Sequence, residues 1–197
     1  MEAALNQRVV ERLSYCIGID PGKTGAIALY GSDGSLQVWD MPARLLQVGN
    51  SRRLRVDPIG CKRLIGSLAE IADLAVIEAV GGRPKQSAGG AFVFGFATGL
   101  VYACVLFSNL RIESVTPAQY KRWLKVKGKV GDNGDIMARA DEIFPLHREL
   151  FRGSKGGARV DRAEAAMMAK FGVEVLLGRS QLTEPHGTLT TAWGGRA

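Results

Sequence analysis

Three apolar, β-rich runs lie almost end to end near the start of the chain: YCIGID (15–20), GAIALYG (25–31) and SLQVWDM (35–41). The first stops at Pro21-Gly22, and the turn GSDG (31–34) joins the second to the third. Turns this short link antiparallel neighbours, so the chain opens on a three-stranded antiparallel meander. The rest of the chain must pack on a sheet that already has that form.

Beyond the meander, helix and strand alternate. Asp57 can cap a helix with Pro58 at its first position, and apolar residues recur at Ile59, Leu64, Ile65, Leu68 and Ile71. ADLAVIEAV (72–80) is a short, nearly all-apolar strand of the kind buried on both faces of a sheet. AFVFGFATGLVYACVLFSN (91–109) reads as a long apolar helix, and RIESV (111–115) as a fifth strand. Thr116 caps a further helix with Pro117 at its first position, DIMARADEIF (135–144) is a helix stopped by Pro145, and residues 158–178 form the last one. Residues 43–56 read as a basic, irregular connection, residues 81–90 as a flexible loop, and VKGKVGDNG (126–134) as a glycine-broken basic loop. The expectation is one α/β domain over residues 1–178. Its mixed sheet, a meander plus parallel strands, is flanked by helices, and residues 179–197 form a flexible tail.

The 197 residues and 46% hydrophobic content suit a single domain with a sizeable core. The richest apolar stretch, residues 91–110, is interrupted by Gly95, Thr98, Gly99, Ser108 and Asn109, so it reads as a buried helix rather than a membrane span. The opening MEAALNQRVVERL carries early acids and no apolar centre, unlike a signal peptide, and a cytoplasmic location is expected. Cys16, Cys61 and Cys104 are odd in number, far apart and set among apolar residues, which predicts buried free thiols rather than disulfides or a zinc cluster.

A net charge of +7 favours a polyanionic partner. Its distribution says more than its size. Lys121, Arg122, Lys125, Lys127 and Lys129 stand together around Trp123 with no acid between them. Further groups are Arg52, Arg53 and Arg55, then Lys62 and Arg63, then Arg148, Arg152, Lys155, Arg159 and Arg162. Several such runs in loops and helix ends, in a chain that also clusters acids, point to nucleic acid.

Four acids carry the chemistry. Asp20 ends the first strand, where a carboxylate beside a tight turn can project into a cleft, although capping the Pro-Gly turn would also explain it. Glu78 sits in AVIEAV, near the end of a strand expected to be buried. An unpaired carboxylate there costs several kcal/mol unless a metal, a cation such as Arg83, or a function accounts for it. Asp161 and Glu164 are three apart on a helix and so face the same way. Their place near the helix start also suits the dipole, but the AAMMA after them suggests a helix packed close to the sheet. Two strand-end acids and a helical pair can converge on Mg²⁺, with Mn²⁺ as a substitute. Mg²⁺ takes one or two carboxylates per ion, so four suit two ions.

These segments resemble the RuvC-type Holliday-junction resolvases of the RNase H-like superfamily. IGIDPGKTGAIAL (17–29) resembles their first strand and turn, AVIEAV (75–80) their glutamate strand, and GFATGLVYACV (95–105) the helix behind it. VTPAQYK (115–121) resembles their strand, turn and lysine segment, and DRAEAAMMA (161–169) their terminal helix. The motifs occur in the family's order over residues 14–172, and the compact pattern is similar to phage or prophage versions. The resemblance implies that Asp20, Glu78, Asp161 and Glu164 are the metal-binding catalytic set and that Lys121 lies near the active site against DNA. It also implies a homodimer cutting opposite strands of a four-way junction.

Three departures stand out. Glu164 occupies a position where many relatives have Asp. A second lysine is missing from GDNGDIMA (131–138), where Lys127 or Lys129 could substitute. The aromatic that stacks on a junction base has Val80 and Gly81 in its place, leaving Phe92, Phe94 or Trp123, the first two expected in the core. Two other readings compete. One is a catalytically inactive protein of the same fold that binds branched DNA. The other is an actin-like ATP-dependent kinase, whose phosphate loop Asp20-Pro21-Gly22-Lys23-Thr24 resembles only loosely. A P-loop fails by one residue, since only three stand between Gly18 and Gly22.

Overall fold

The computed structural model describes residues 12–79, 81, 87–126 and 133–178. The expected tail, residues 1–11, Arg83, Lys127 and Lys129 lie outside them. Five strands form the main sheet in the order β3-β2-β1-β6-β7: β1 (Tyr15–Asp20), β2 (Ala26–Gly31), β3 (Leu36–Asp40), β6 (Leu74–Glu78) and β7 (Ile112–Val115). β1, β2 and β3 pair antiparallel as the meander, and β6 and β7 continue the sheet parallel to β1. The mixed α/β sheet expected from the sequence is the one observed.

Alternation along the strands divides the core in two. Ile17, Ile19, Ile27, Leu29, Ala75 and Ile77 face α1 (Pro58–Ala69) and α2 (Ala88–Leu106). Cys16, Ala28, Tyr30, Leu74 and Val76 face the other layer, made of α3 (Pro117–Trp123), α4 (Asn133–Ile143) and α5 (Val160–Phe171). The caps form where expected. The Asp57 carboxylate accepts the Ile59 amide at 3.2 Å, and Gln119 Oε1 accepts the Thr116 amide at 2.7 Å. Cys16 and Cys61 are buried free thiols and Cys104 is half-buried.

α5 lies unusually close to β1. A Cβ on Gly18 would overlap the Ala165 carbonyl and the Ala169 amide, so the helix backbone rests on the strand where glycine leaves room. The small residues of AAMMA permit this approach, and Met167 and Met168 are fully buried beside them.

Two expectations need correction. Residues 43–56 are not irregular: they form a hairpin, β4 (Ala43–Val48) against β5 (Ser51–Val56), paired from Ala43↔Val56 to Val48↔Ser51. Gly49-Asn50 is a two-residue turn with Gly49 at φ 58°, a signal that the arginine density obscures. The helix expected to be buried is only half so. α2 is long and apolar enough to cross a membrane by composition alone, yet Ala97, Val101 and Val105 seat one face in the core. Its other side leaves Phe92 74% and Phe96 54% exposed, so the sequence's uniform apolarity hid a two-sided environment.

Candidate metal centre and nucleic-acid cleft

Strand parity assembles the site. Cys16 and Gly18 of β1, and Leu74 and Val76 of β6, face the α5 layer, so Asp20 and Glu78, two residues further on, face it too. β1 and β6 run parallel with Ile19 opposite Ile77, which brings Asp20 and Glu78 out side by side at the same end of the sheet. The chain then leaves β1 abruptly: Gly22 adopts φ 141°, and Gly25 N–H donates to Gly22 O at 3.2 Å.

α5 supplies the rest. The contact at Gly18 fixes the face carrying Ala165 and Ala169; Asp161 lies one turn before Ala165 on that face, over the strand ends, and Glu164, three residues after Asp161, lies beside it. One oxygen each from Asp20, Asp161 and Glu164 lie within 4.8 Å of one another. Glu78 joins them through Tyr120, whose buried hydroxyl reaches Glu78 Oε1 at 3.1 Å and Glu164 Oε1 at 3.4 Å. The four carboxylates line one cleft of about 760 Å³.

The electrostatics of that cleft favour cations. Burial, then the charges of Glu78, Glu164 and Asp161, push the Asp20 carboxyl up to about 9. Burial together with Glu164 and Glu78 drives the Tyr120 phenol far above its ordinary range, so it stays protonated and donates to the acids. Lys121 Nζ sits 2.5 Å from Glu164 Oε1. An all-oxygen set of clustered carboxylates at the mouth of a cleft fits a hard divalent cation.

The predicted basic residues separate into several groups. Lys121 reaches the site. Arg122 and Lys125 are exposed beyond it at the end of α3, away from the cleft lining. Arg159 and Arg162 are structural: both bind Asp40, at 2.6 and 2.7 Å, tying the start of α5 to the end of β3. Arg152 likewise binds Asp141 at 2.5 Å. Of the candidate aromatics, Phe92 and Phe94 line the cleft, and the expectation that Phe92 packs in the core is wrong. Trp123 instead packs edge-on against Phe171, with ring centres 5.6 Å apart.

Sequence reasoning passes over Tyr120, and it counts Arg53 and Arg55 among the basic groups and Lys23 in the turn after β1 without placing any of them at the cleft that they line. Tyr120 stands directly before the lysine that the motif marks. The arginines carry a period-2 signal, Arg53-Leu54-Arg55-Val56, that belongs to a strand.

No protein-family model and no curated protein sequence matches the chain. Solved structures do. Thermus thermophilus RuvC in complex with a Holliday junction substrate aligns at TM-score 0.51 and 13% identity, over 81% of this chain and 94% of that one. A second Thermus thermophilus RuvC structure aligns at TM-score 0.48 and 15% identity, over 83% and 96% of the two chains. The yeast mitochondrial Holliday junction resolvase Ydc2 aligns at TM-score 0.48 and 13% identity, over 79% and 76%. The resemblance read from the motifs therefore holds at the level of the fold, a five-stranded mixed sheet flanked by helices that this chain shares with the junction-bound RuvC.

Proposed function

We propose that the protein is a divalent-metal-dependent endonuclease that cuts branched DNA, four-way junctions foremost. The observation that carries this is the convergence of Asp20, Glu78, Asp161 and Glu164 in one cleft of a fold shared with a junction-bound RuvC. Asp20, Asp161 and Glu164 would hold one Mg²⁺ or Mn²⁺ ion, and Glu78 with Asp20 a second. Bound there, such ions activate a water for in-line attack on phosphorus and stabilise the departing oxygen. The chain's own residues orient these ligands: Tyr120 holds Glu78 and Glu164 in relation to each other, and Lys121, paired with Glu164, brings positive charge to the acids where a scissile phosphate would enter.

Resolving a junction needs two sites, and we infer a homodimer. The exposed side of α2 supports this: Phe92, Phe96 and Leu106 flank a stripe of Gly95, Gly99 and Ala103 at four-residue spacing. Small residues among large apolar ones let two helices approach closely, and among the described residues no neighbour lies within 4 Å of a Cβ built on Gly95 or Gly99. In the same reading the exposed ring of Phe92, beside the cleft, takes the place of the missing stacking aromatic.

The deciding experiment incubates the protein with end-labelled junction, fork and duplex DNA, in Mg²⁺ and in EDTA. Cleavage of the branched substrates in Mg²⁺ alone, lost in Glu78→Gln with binding retained, is expected. Junctions bound but left intact in both Mg²⁺ and Mn²⁺ would support the inactive binding protein instead, and ATP turnover without cleavage the kinase.

A further inference from the structure

The β4–β5 hairpin follows β3 at one edge of the main sheet, whereas Lys121 follows β7 at the other. Asp20 and Glu78, at the ends of β1 and β6, stand between them. Residues paired across an antiparallel ladder share a face, so Arg44, Arg53 and Arg55 share one with Leu46 and Val48, while Leu45, Leu54 and Val56 share the other, which is apolar at its root and carries Gln47 and Arg52 toward the tip. The apolar face is rooted: Val56 is buried in the core and Leu54 half-buried. That anchoring turns the arginine face outward.

Arg53 and Arg55 line the cleft that contains the four carboxylates, and with Lys23 they line an adjoining hollow of about 400 Å³. Arg44 is engaged by Asp57 at 3.6 Å. Among the described residues, Arg53 and Arg55 have no carboxylate within ion-pair distance. Arg53 reaches only the Ser51 hydroxyl at 3.3 Å, and Arg55 the carbonyl of Leu54 at 3.0 Å. Two guanidinium groups beside a cluster of acids, yet not paired with them, remain available for an anion entering the cleft. Same-face neighbours on a strand stand about 6.7 Å apart, comparable to the phosphate repeat of an extended DNA strand. Arginine suits this role because its planar fork binds a phosphate through two parallel hydrogen bonds.

We propose that the hairpin is a second DNA-binding element, in which Arg53 and Arg55 grip successive phosphates of the strand leaving the carboxylate site, with Lys23 at the lip. This rests on the nuclease reading above and deepens it: the DNA is held on both sides of the metal centre, by Lys121 on the β7 side and by the hairpin on the β3 side. A rooted two-stranded arm with a free tip at Gly49-Asn50 is also a shape that can track one arm of a branched substrate.

The test measures fluorescence anisotropy of a labelled four-way junction in EDTA, over a range of salt, for wild type, Arg53→Gln/Arg55→Gln and Arg53→Lys/Arg55→Lys. Each phosphate contact contributes about 0.9 to the slope of log affinity against log salt, so the glutamine pair should lower that slope by about 1.8. The lysine pair should retain most of the slope. Circular dichroism and Mg²⁺-induced stabilisation, both read on the same samples, should match wild type and show that the carboxylate site is intact. A glutamine pair with the wild-type slope overturns the proposal while leaving the nuclease intact, provided wild type binds and cuts. If the arginines serve only to offset the acids, the glutamine pair melts lower without metal and the slope does not move, which also overturns it. A wild-type protein with no salt-dependent DNA binding would overturn the nuclease reading itself.

Discussion

Replacing Asp20 by Asn should stabilise the metal-free protein and abolish its response to metal. Asp20 ordinarily titrates near 3.8, but burial and three neighbouring acids push it to about 9 in the folded chain. Between those values the folded state binds a proton that the unfolded state has released, so metal-free stability falls as pH rises from about 4 to about 9. Linkage at about 1.4 kcal/mol per pH unit caps the cost at pH 7.5 at about 5 kcal/mol. The open side of the cleft lets water and side-chain rearrangement relieve part of it, and about 2 kcal/mol is the expected gain for Asp20→Asn. For a domain of this size that is a rise of roughly 4–8 °C in Tm. Thermal unfolding followed by circular dichroism in EDTA, from pH 5 to 9, reads the effect directly. Wild type should lose Tm with rising pH more steeply than the variant. Millimolar Mg²⁺ should then raise Tm in wild type and not in Asp20→Asn, because the ion replaces the proton as the charge that relieves the cluster. A variant that melts lower than wild type in EDTA and gains as much from Mg²⁺ would refute both the repulsion and the metal site.

Other substitutions probe separate parts of the same assembly. Tyr120→Phe keeps the packing but removes the donor shared by Glu78 and Glu164. It should slow cleavage about 3- to 10-fold, at roughly 1 kcal/mol for one hydrogen bond, with junction affinity in EDTA unchanged. Gly18→Ala forces a methyl into the α5 backbone, and urea denaturation should show a loss of about 3 kcal/mol together with weakened Mg²⁺ binding, since the helix carries two of the acids. Phe96→Asp places a charge on the exposed side of α2. If the proposed dimer forms through this face, sedimentation should give the dimer mass for wild type and the monomer mass for the variant, which should nick junctions on one strand rather than cut both.

The parts of the fold legible from sequence are those where one local rule has no competitor. Tight turns leave the meander no other arrangement, and Asp57-Pro58 and Thr116-Pro117 mark helix starts that the structure keeps. The β4–β5 hairpin escapes such a reading because its alternation is written in arginine as much as in leucine. Only the second strand's root, Leu54 and Val56, is apolar against the core, while Leu45 and Val48 of the first are exposed. α2 misleads for the opposite reason. Apolar on every side, it offers no period to show which side is covered, and only the sheet and α1 select Ala97, Val101 and Val105. Arg159 and Arg162 resemble part of a DNA-binding surface because nothing local indicates that Asp40, about 120 residues away, takes both.

The four acids present a subtler case, because their convergence depends on relations that no single motif contains. Asp20 is two residues past Gly18, and Glu78 is two past Val76, so both inherit the face that α5 covers. Asp161 takes that face on the helix side from Ala165, four residues on, and Glu164 lies beside it by its three-residue spacing from Asp161. Gly18 thus serves the chemistry through packing: by admitting the helix backbone it fixes the distance from the strand acids to the helical pair. Glu78 is the most conspicuous acid in the sequence because a carboxylate buried in a strand is costly, yet in the structure it stands at the strand's exit with Tyr120 as a donor. Asp20, whose position beside a Pro-Gly turn has an ordinary explanation, carries a heavy burden of its own: burial and three neighbouring acids push its carboxyl up. A carboxylate's cost is set by what converges on it, and that is decided by strand parity and helix approach rather than by the residues on either side.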